Sequence, residues 1–187
     1  MELEELLPAW CQAPNAIVLH LDATQCAHPF PDHRYVNEGH IGTNEIAIRT
    51  LYMIEGAGDH SWLRHAVEMI ADAVAGPARY RWASQKGGGR AVAAPLVTVV
   101  VRCTHGKHRS VGLAYLLSAG FQGIGFQRVN LTHMSACQWS RNHCLRTGRL
   151  CQLCDPATHS TSRAETLRLM TNLVMEEVDV VNAVARR

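Results

Sequence analysis

Apolar and polar positions alternate over "AIVLHLD" (16–22), with Ile17, Leu19 and Leu21 set against Val18, His20 and Asp22. This period of two predicts a strand whose C-terminal end turns polar. A long polar loop follows. In "NEIAIRTLYMI" (44–54), Ile46, Thr50, Leu51 and Ile54 share a helical face, with Gly56 as the stop just beyond it. "SWLRHAVEMIADAVAG" (61–76) repeats Leu63, Ala66, Val67, Ile70 and Val74 at helical spacing, with Ser61 as N-cap and Gly76-Pro77 closing the helix. "ASQKGGGRAVAAP" (83–95) has the composition of a flexible connection.

The run "LVTVVV" then reads as a strand buried on both faces, as at the centre of a parallel sheet. "SVGLAYLLSAG" (110–120) predicts a helix packing through Val111, Leu113, Ala114 and Leu117 and ending at Gly120. "GFQRVNLTH" (125–133) is the candidate next strand of a parallel βαβ unit. At the end, "SRAE" (162–165) has the form of a capping box. Leu167, Met170, Leu173, Val174, Val178, Val181 and Val184 then form an amphipathic stripe that packs on the domain or on a partner. The expected fold class is α/β, a central and mostly parallel sheet with flanking helices, a Cys-rich excursion and a C-terminal amphipathic helix. Its expected boundaries are a lead-in over 1–14, an α/β phosphate-binding domain over 15–133, the excursion over 134–160 and the helix over 161–187.

With 187 residues, 47% of them hydrophobic, the chain suffices for one good core. A net charge of +2 gives no global attraction to nucleic acid or membrane, so any basic site must be local. The acidic start "MELEELLP" does not fit a secretory signal, and its apolar stretch is too short to span a bilayer, which leads us to expect a cytoplasmic protein without a membrane partner. Seven cysteines, an odd number, argue for thiols or a metal site over a disulfide framework. Eleven histidines point to a site without choosing its chemistry.

The chemistry gathers at the junction "RCTHGKHRS", where Cys103, Gly106, Arg109 and Ser110 spell C-x-x-G-x-x-R-S between a strand and a helix. Such a loop can turn backbone N–H groups inward as an anion nest, with the positive end of the helix dipole behind it. Arg109 in the first helical turn can grip a phosphate bidentately, and Gly106 allows close approach of the backbone. Ser110 can cap the helix or bond the Cys103 sulfur, and the same field is expected to lower the Cys103 thiol pKa. Thr104, His105, Lys107 and His108 complete the candidate ligand-binding loop. No G-x-x-x-x-G-K-[ST] motif occurs.

Two functions use this spacing. In one, the loop binds a phosphorylated small molecule. In the other, Cys103 is the nucleophile and Arg109 the phosphate clamp of a cysteine-dependent phosphatase, which also needs an acid such as Asp22, Asp32 or Asp59. Asp22, His28, His33 and Arg34 follow the first strand and can meet the 103–110 loop if the two strands are neighbours, because α/β sites gather at strand C-termini. There Asp22 would accept a sugar hydroxyl and Arg34 would add a phosphate contact.

The loop resembles that of the C-terminal domain of the RapZ family of RNase adapter proteins, Gly-Cys-Thr-Gly-Gly-x-His-Arg-Ser, and differs from it at Arg102 and His105. Upstream, Asp22, His28-Pro29, Arg34 and Gly42-Thr43 stand at corresponding places, so that the similarity spans about residues 15–133. The resemblance implies a phosphosugar site of the glucosamine 6-phosphate class, a sensor or adapter role, binding of RNA or a protein partner, and self-assembly into a homo-oligomer. The family's N-terminal P-loop domain has no counterpart in this sequence, so nucleotide binding is not implied.

Cys137, Cys144, Cys151 and Cys154 form a zinc candidate with a single C-x2-C, and His133, His143 and His159 are alternative ligands. Arg141, Arg146 and Arg149, with Trp139, are candidates for contact with RNA phosphates and a base.

Overall fold

The computed structural model describes residues 16–29, 42, 44–56, 61–84, 96–104, 106, 108–126, 129–133 and 156–185. Among these, two strands and four helices follow in the order β1 (Ala16–Asp22), α1 (Glu45–Glu55), α2 (Trp62–Ser84), β2 (Leu96–Arg102), α3 (Arg109–Gly123) and α4 (Pro156–Ala185). β1 and β2 pair in parallel, from Ala16 opposite Leu96 to Asp22 opposite Arg102, so both strands end side by side. The fold is α/β, and α1 and α2 lie in the crossover between the strands.

β1 matches its expected span, with Leu21 buried and His20 and Asp22 exposed. β2 is less enclosed than its apolar sequence predicts: Leu96 is 40% exposed and Thr98 is its buried residue. Its partner among the described residues is β1 alone. β-branched side chains favour extended backbone whether or not both faces are covered, so the run marked the strand and overstated its burial.

Asn44 caps α1 by accepting the Ile46 N–H at 2.9 Å, and Gly56 closes it. The buried face is Ala47, Ile48 and Leu51; Ile54, expected inward, is exposed. Ser61 Oγ accepts the Arg64 N–H at 3.2 Å at the start of α2, and Leu63, Ala66, Val67 and Ile70 are buried as their spacing predicts. The expected stop at Gly76-Pro77 is overrun, because α2 continues to Ser84. Proline obstructs a preceding helical residue partly through that residue's Cβ, and Gly76 has none.

α3 also runs further than expected. Gly120 lies within it and faces Val174 and Met170 of α4, where an added Cβ would come within 2.7 Å of Val174 Cγ2. Ala114 is half-buried, and Leu116 and Phe121 join Val111, Leu113 and Leu117 in the core. The strand expected over 125–133 does not form among its described residues. Gly125 takes φ +100°, Phe126 N–H returns to the Phe121 carbonyl at 3.1 Å, and Gln122 Nε2 donates to the Val129 carbonyl at 3.3 Å. The chain thus folds back on the end of α3.

α4 starts at Pro156, six residues before the supposed capping box and inside the expected excursion. Proline suits a first helical turn, where its missing N–H has no helical partner to lose. Ser162 is therefore inside the helix, and its carbonyl accepts from Thr166 Oγ1 at 2.9 Å. Met170, Leu173 and Val174 are buried against the domain, joining residues of β1, α1, α2 and α3 in one core. Arg64 of α2 ties down the same helix through Glu177 at 2.6 Å and Glu176 at 3.3 Å. Arg163 bonds the Tyr115 hydroxyl of α3, with its guanidinium carbon 5.0 Å from the ring centroid. No helix among the described residues is long and apolar enough to cross a membrane.

Candidate functional site

Because β1 and β2 are parallel neighbours, the turns that leave them meet at one end of the sheet. Asp22 and Arg102 are register partners, and their side chains form an ion pair at 2.9 Å. The Ala23 N–H continues the ladder to the Arg102 carbonyl at 2.8 Å. Asp22 Oδ1 accepts the Thr24 N–H at 2.9 Å, which closes the first turn, and Trp62 Nε1 donates to the Asp22 carbonyl at 2.9 Å. The Thr24 amide bond and then the Arg102 guanidinium pull the Asp22 carboxyl down to a pKa of about 2. At neutral pH Asp22 is an ionised acceptor. It is no proton donor.

In the second turn, Gly106 takes φ +57°, a left-handed conformation that side chains with a Cβ rarely adopt. The reversal leads into α3, whose N-cap His108 makes no side-chain cap bond and whose first turn holds no acidic residue. A helix start that its N-cap side chain leaves unbonded favours anions. Cys103 is half-buried, and its Sγ lies 3.2 Å from Ser110 Oγ. Of the two expected roles of Ser110, bonding the sulfur is the one observed; as the second residue of α3 it stands inside the helix it was expected to cap.

Arg109 differs from its expected place as a bare phosphate clamp. Its Nη1 donates to the Thr24 carbonyl and, at 2.9 Å, to the Cys26 carbonyl. The guanidinium is a planar fork with five donors, so one end can hold protein carbonyls while the Nε–Nη2 edge remains for another acceptor. Neither Nε nor Nη2 meets an acceptor among the described residues.

His28 reaches the second turn, as expected: its ring packs edge-on against His108 with centroids 5.2 Å apart. Pro29 beside it is fully buried. Gly42 also arrives here, and a Cβ at this position would lie 2.0 Å from the His108 carbonyl oxygen. The chain can cross the start of α3 so closely only with glycine at Gly42. The structure thus brings Asp22, His28, Gly42, Cys103, Gly106, His108, Arg109 and Ser110 to one end of the sheet. His33, Arg34, His105 and Lys107 lie outside the described residues, and so do Asp32 and Asp59. Thr104 is exposed on the turn.

Sequence reasoning missed Cys26 and Glu55. Cys26 is buried, and its thiol is pushed up to about 12, first by burial and then by the nearby Glu55 charge. Glu55 Oε1 accepts the Ala27 N–H at 2.8 Å. The one available signal was a carboxylate closing an otherwise apolar helical run, "LYMIE".

Cys137, Cys144, Cys151 and Cys154, the zinc candidates, lie outside the described residues, as do Trp139, Arg141, His143, Arg146 and Arg149. His133 is described, and burial lowers its pKa. Among the described residues no group of three His, Cys, Asp or Glu side chains is placed to hold a metal ion. Comparison of the chain with protein families, with curated proteins and with solved structures finds no match.

Proposed function

We propose that the chain is a RapZ C-terminal-like module that binds a phosphorylated metabolite, a phosphosugar such as glucosamine 6-phosphate, and acts as a sensor or adapter. The observation that supports this reading is the left-handed Gly106 turn leading into the start of α3, with Arg109 in the first helical turn. On this reading backbone N–H groups, the helix dipole and the Nε–Nη2 edge of Arg109 act together on one anion. The ionised Asp22 stands at the rim as an acceptor for ligand hydroxyls. Binding of RNA or of a protein partner is part of the same reading, with the arginines of the 137–154 segment as candidate contacts.

The test is a calorimetric and thermal-shift titration with glucosamine 6-phosphate, glucose 6-phosphate and inorganic phosphate. A ligand at a hundred times its Kd adds about 2.7 kcal/mol to stability, a readable rise in melting temperature. Arg109→Ala is expected to abolish the rise. A phosphosugar that stabilises this variant as it does the wild type would remove the loop from the site.

The Cys103–Ser110 contact favours a second reading, since a hydroxyl 3.2 Å from the sulfur can stabilise a thiolate nucleophile in a C-x5-R loop. Asp22 does not suit the role of its acid, because Thr24 and Arg102 hold its carboxyl ionised, which leaves Asp32 and Asp59, both outside the described residues, as the candidates. Incubation with an aryl phosphate is expected to release little phosphate. Turnover that disappears in Cys103→Ser would establish the phosphatase instead.

A further inference from the structure

One peptide group near the site carries a charged partner on each side. The Ala27 N–H donates to Glu55 Oε1 at 2.8 Å, and the carbonyl of the same peptide, that of Cys26, accepts from Arg109 Nη1 at 2.9 Å. The amide plane therefore lies between a carboxylate and a guanidinium. Both bonds are charge-assisted, and each polarises the amide in the sense that strengthens the other.

Glu55 is the last residue of α1, whose last turn holds no basic residue. A carboxylate there faces the negative end of the helix dipole, so local preference does not account for it. Its contacts are tertiary: besides bonding the Ala27 amide, its charge lies near enough to the buried Cys26 thiol to help raise that thiol's pKa. A residue that runs against its local setting and is satisfied by a distant turn belongs to that turn's function.

We propose that Glu55 is a positioning residue for the anion site: through the Cys26–Ala27 peptide it holds the turn that fixes the Arg109 guanidinium. α1 then reaches the site without touching the ligand. The geometry stands by itself, whereas the consequence for affinity rests on the phosphate-site reading.

The experiment compares the full chain with Glu55→Met, which keeps length and helix propensity but removes the acceptor, and with Glu55→Gln, which keeps an acceptor for the Ala27 N–H. The first readout is the Arg109 Nε–Hε signal in nitrogen-15 NMR spectra, assigned through Arg109→Lys and recorded without added anion. In Glu55→Met this signal is expected to broaden and move toward the unrestrained arginines, and Glu55→Gln is expected to restore it. The second readout is titration with inorganic phosphate, whose affinity is expected to fall about tenfold in Glu55→Met and less than threefold in Glu55→Gln, in line with the loss of one charge-assisted bond.

A merely structural role would lower the melting temperature of Glu55→Met and leave the Arg109 signal in place, and that result overturns the proposal. Glu55→Ala takes the place of the methionine variant should the latter not fold. If the wild-type chain binds no phosphate, the phosphate-site reading fails, and the Arg109 signal alone decides whether Glu55 positions it.

Discussion

The turns after β1 and β2 sit side by side, hold one cysteine each, and are built in opposite ways. The turn after β2 has a left-handed glycine and a sulfur–hydroxyl contact seven residues apart within its own loop, with Gly42 and His28 packed against its end at His108. The turn after β1 is held from outside: Arg109 grips its carbonyls across 83 and 85 residues of chain, and Glu55 grips its amide across 28. Their cysteines differ accordingly. Cys103 is half-buried at the start of α3, whereas Cys26 is in the core with its thiol pushed up to about 12. The first turn is thus tied to α1 and α3 by side chains far away in sequence, and the second carries a contact made within its own loop.

The largest expected effect comes from Gly42, where any Cβ meets backbone atoms of the second turn. Gly42→Ala should destabilise the chain by about 3 kcal/mol, the upper part of the usual overpacking range, measured as a lower denaturant midpoint. An unchanged midpoint would show that this crossing yields freely. Next is Arg109→Lys, which loses the fork that holds the two carbonyls. A loss of about 2 kcal/mol is expected, with faster amide exchange at residues 24–27 than at residues 112–117 of α3. Equal exchange in both regions would erase the contrast between the turns.

Alkylation sharpens the contrast further. At pH 8, site-resolved mass spectrometry is expected to find Cys103 modified well before Cys26, which is buried and fully protonated. The raised Cys26 pKa contributes stability that is complete below the ordinary thiol value of 9.0. It is lost as pH rises through about 12, and Cys26→Ala should flatten that alkaline limb. The smallest effect belongs to Asp22, an exposed group whose pKa is lowered from 3.8 to about 2. Its contribution is present above pH 3.8 and disappears as pH falls through about 2, so Asp22→Asn should flatten the acid limb of the stability profile.

The strand ends and the C-x-x-G-x-x-R-S turn were legible because their causes are local: alternation marks β1, β-branching marks β2, and a glycine marks the reversal at Gly106. The helix stops were read less well. Gly76-Pro77 and Gly120 look like punctuation in one dimension, yet the first pair is absorbed by α2 and the second is a contact with α4. The expected strand at 125–133 failed for the same kind of reason, since Gly125 and Phe126 turn back onto α3.

The sequence by itself determined the two strands, the cores of the helices and the glycine-bearing turn that joins β2 to α3, because periodicity, Cβ branching and the backbone freedom of glycine act within a few residues. Tertiary structure alone decided what Arg109 holds, that Glu55 takes part and that Asp22 is tied to Arg102. It also decided that Gly42 lies against His108 and that α4 is fastened to α2 by Arg64. Each of these depends on partners 28 to 113 residues apart, and at such separations a hydrogen bond or a contact is set by how helices and sheet pack together, which no local pattern records.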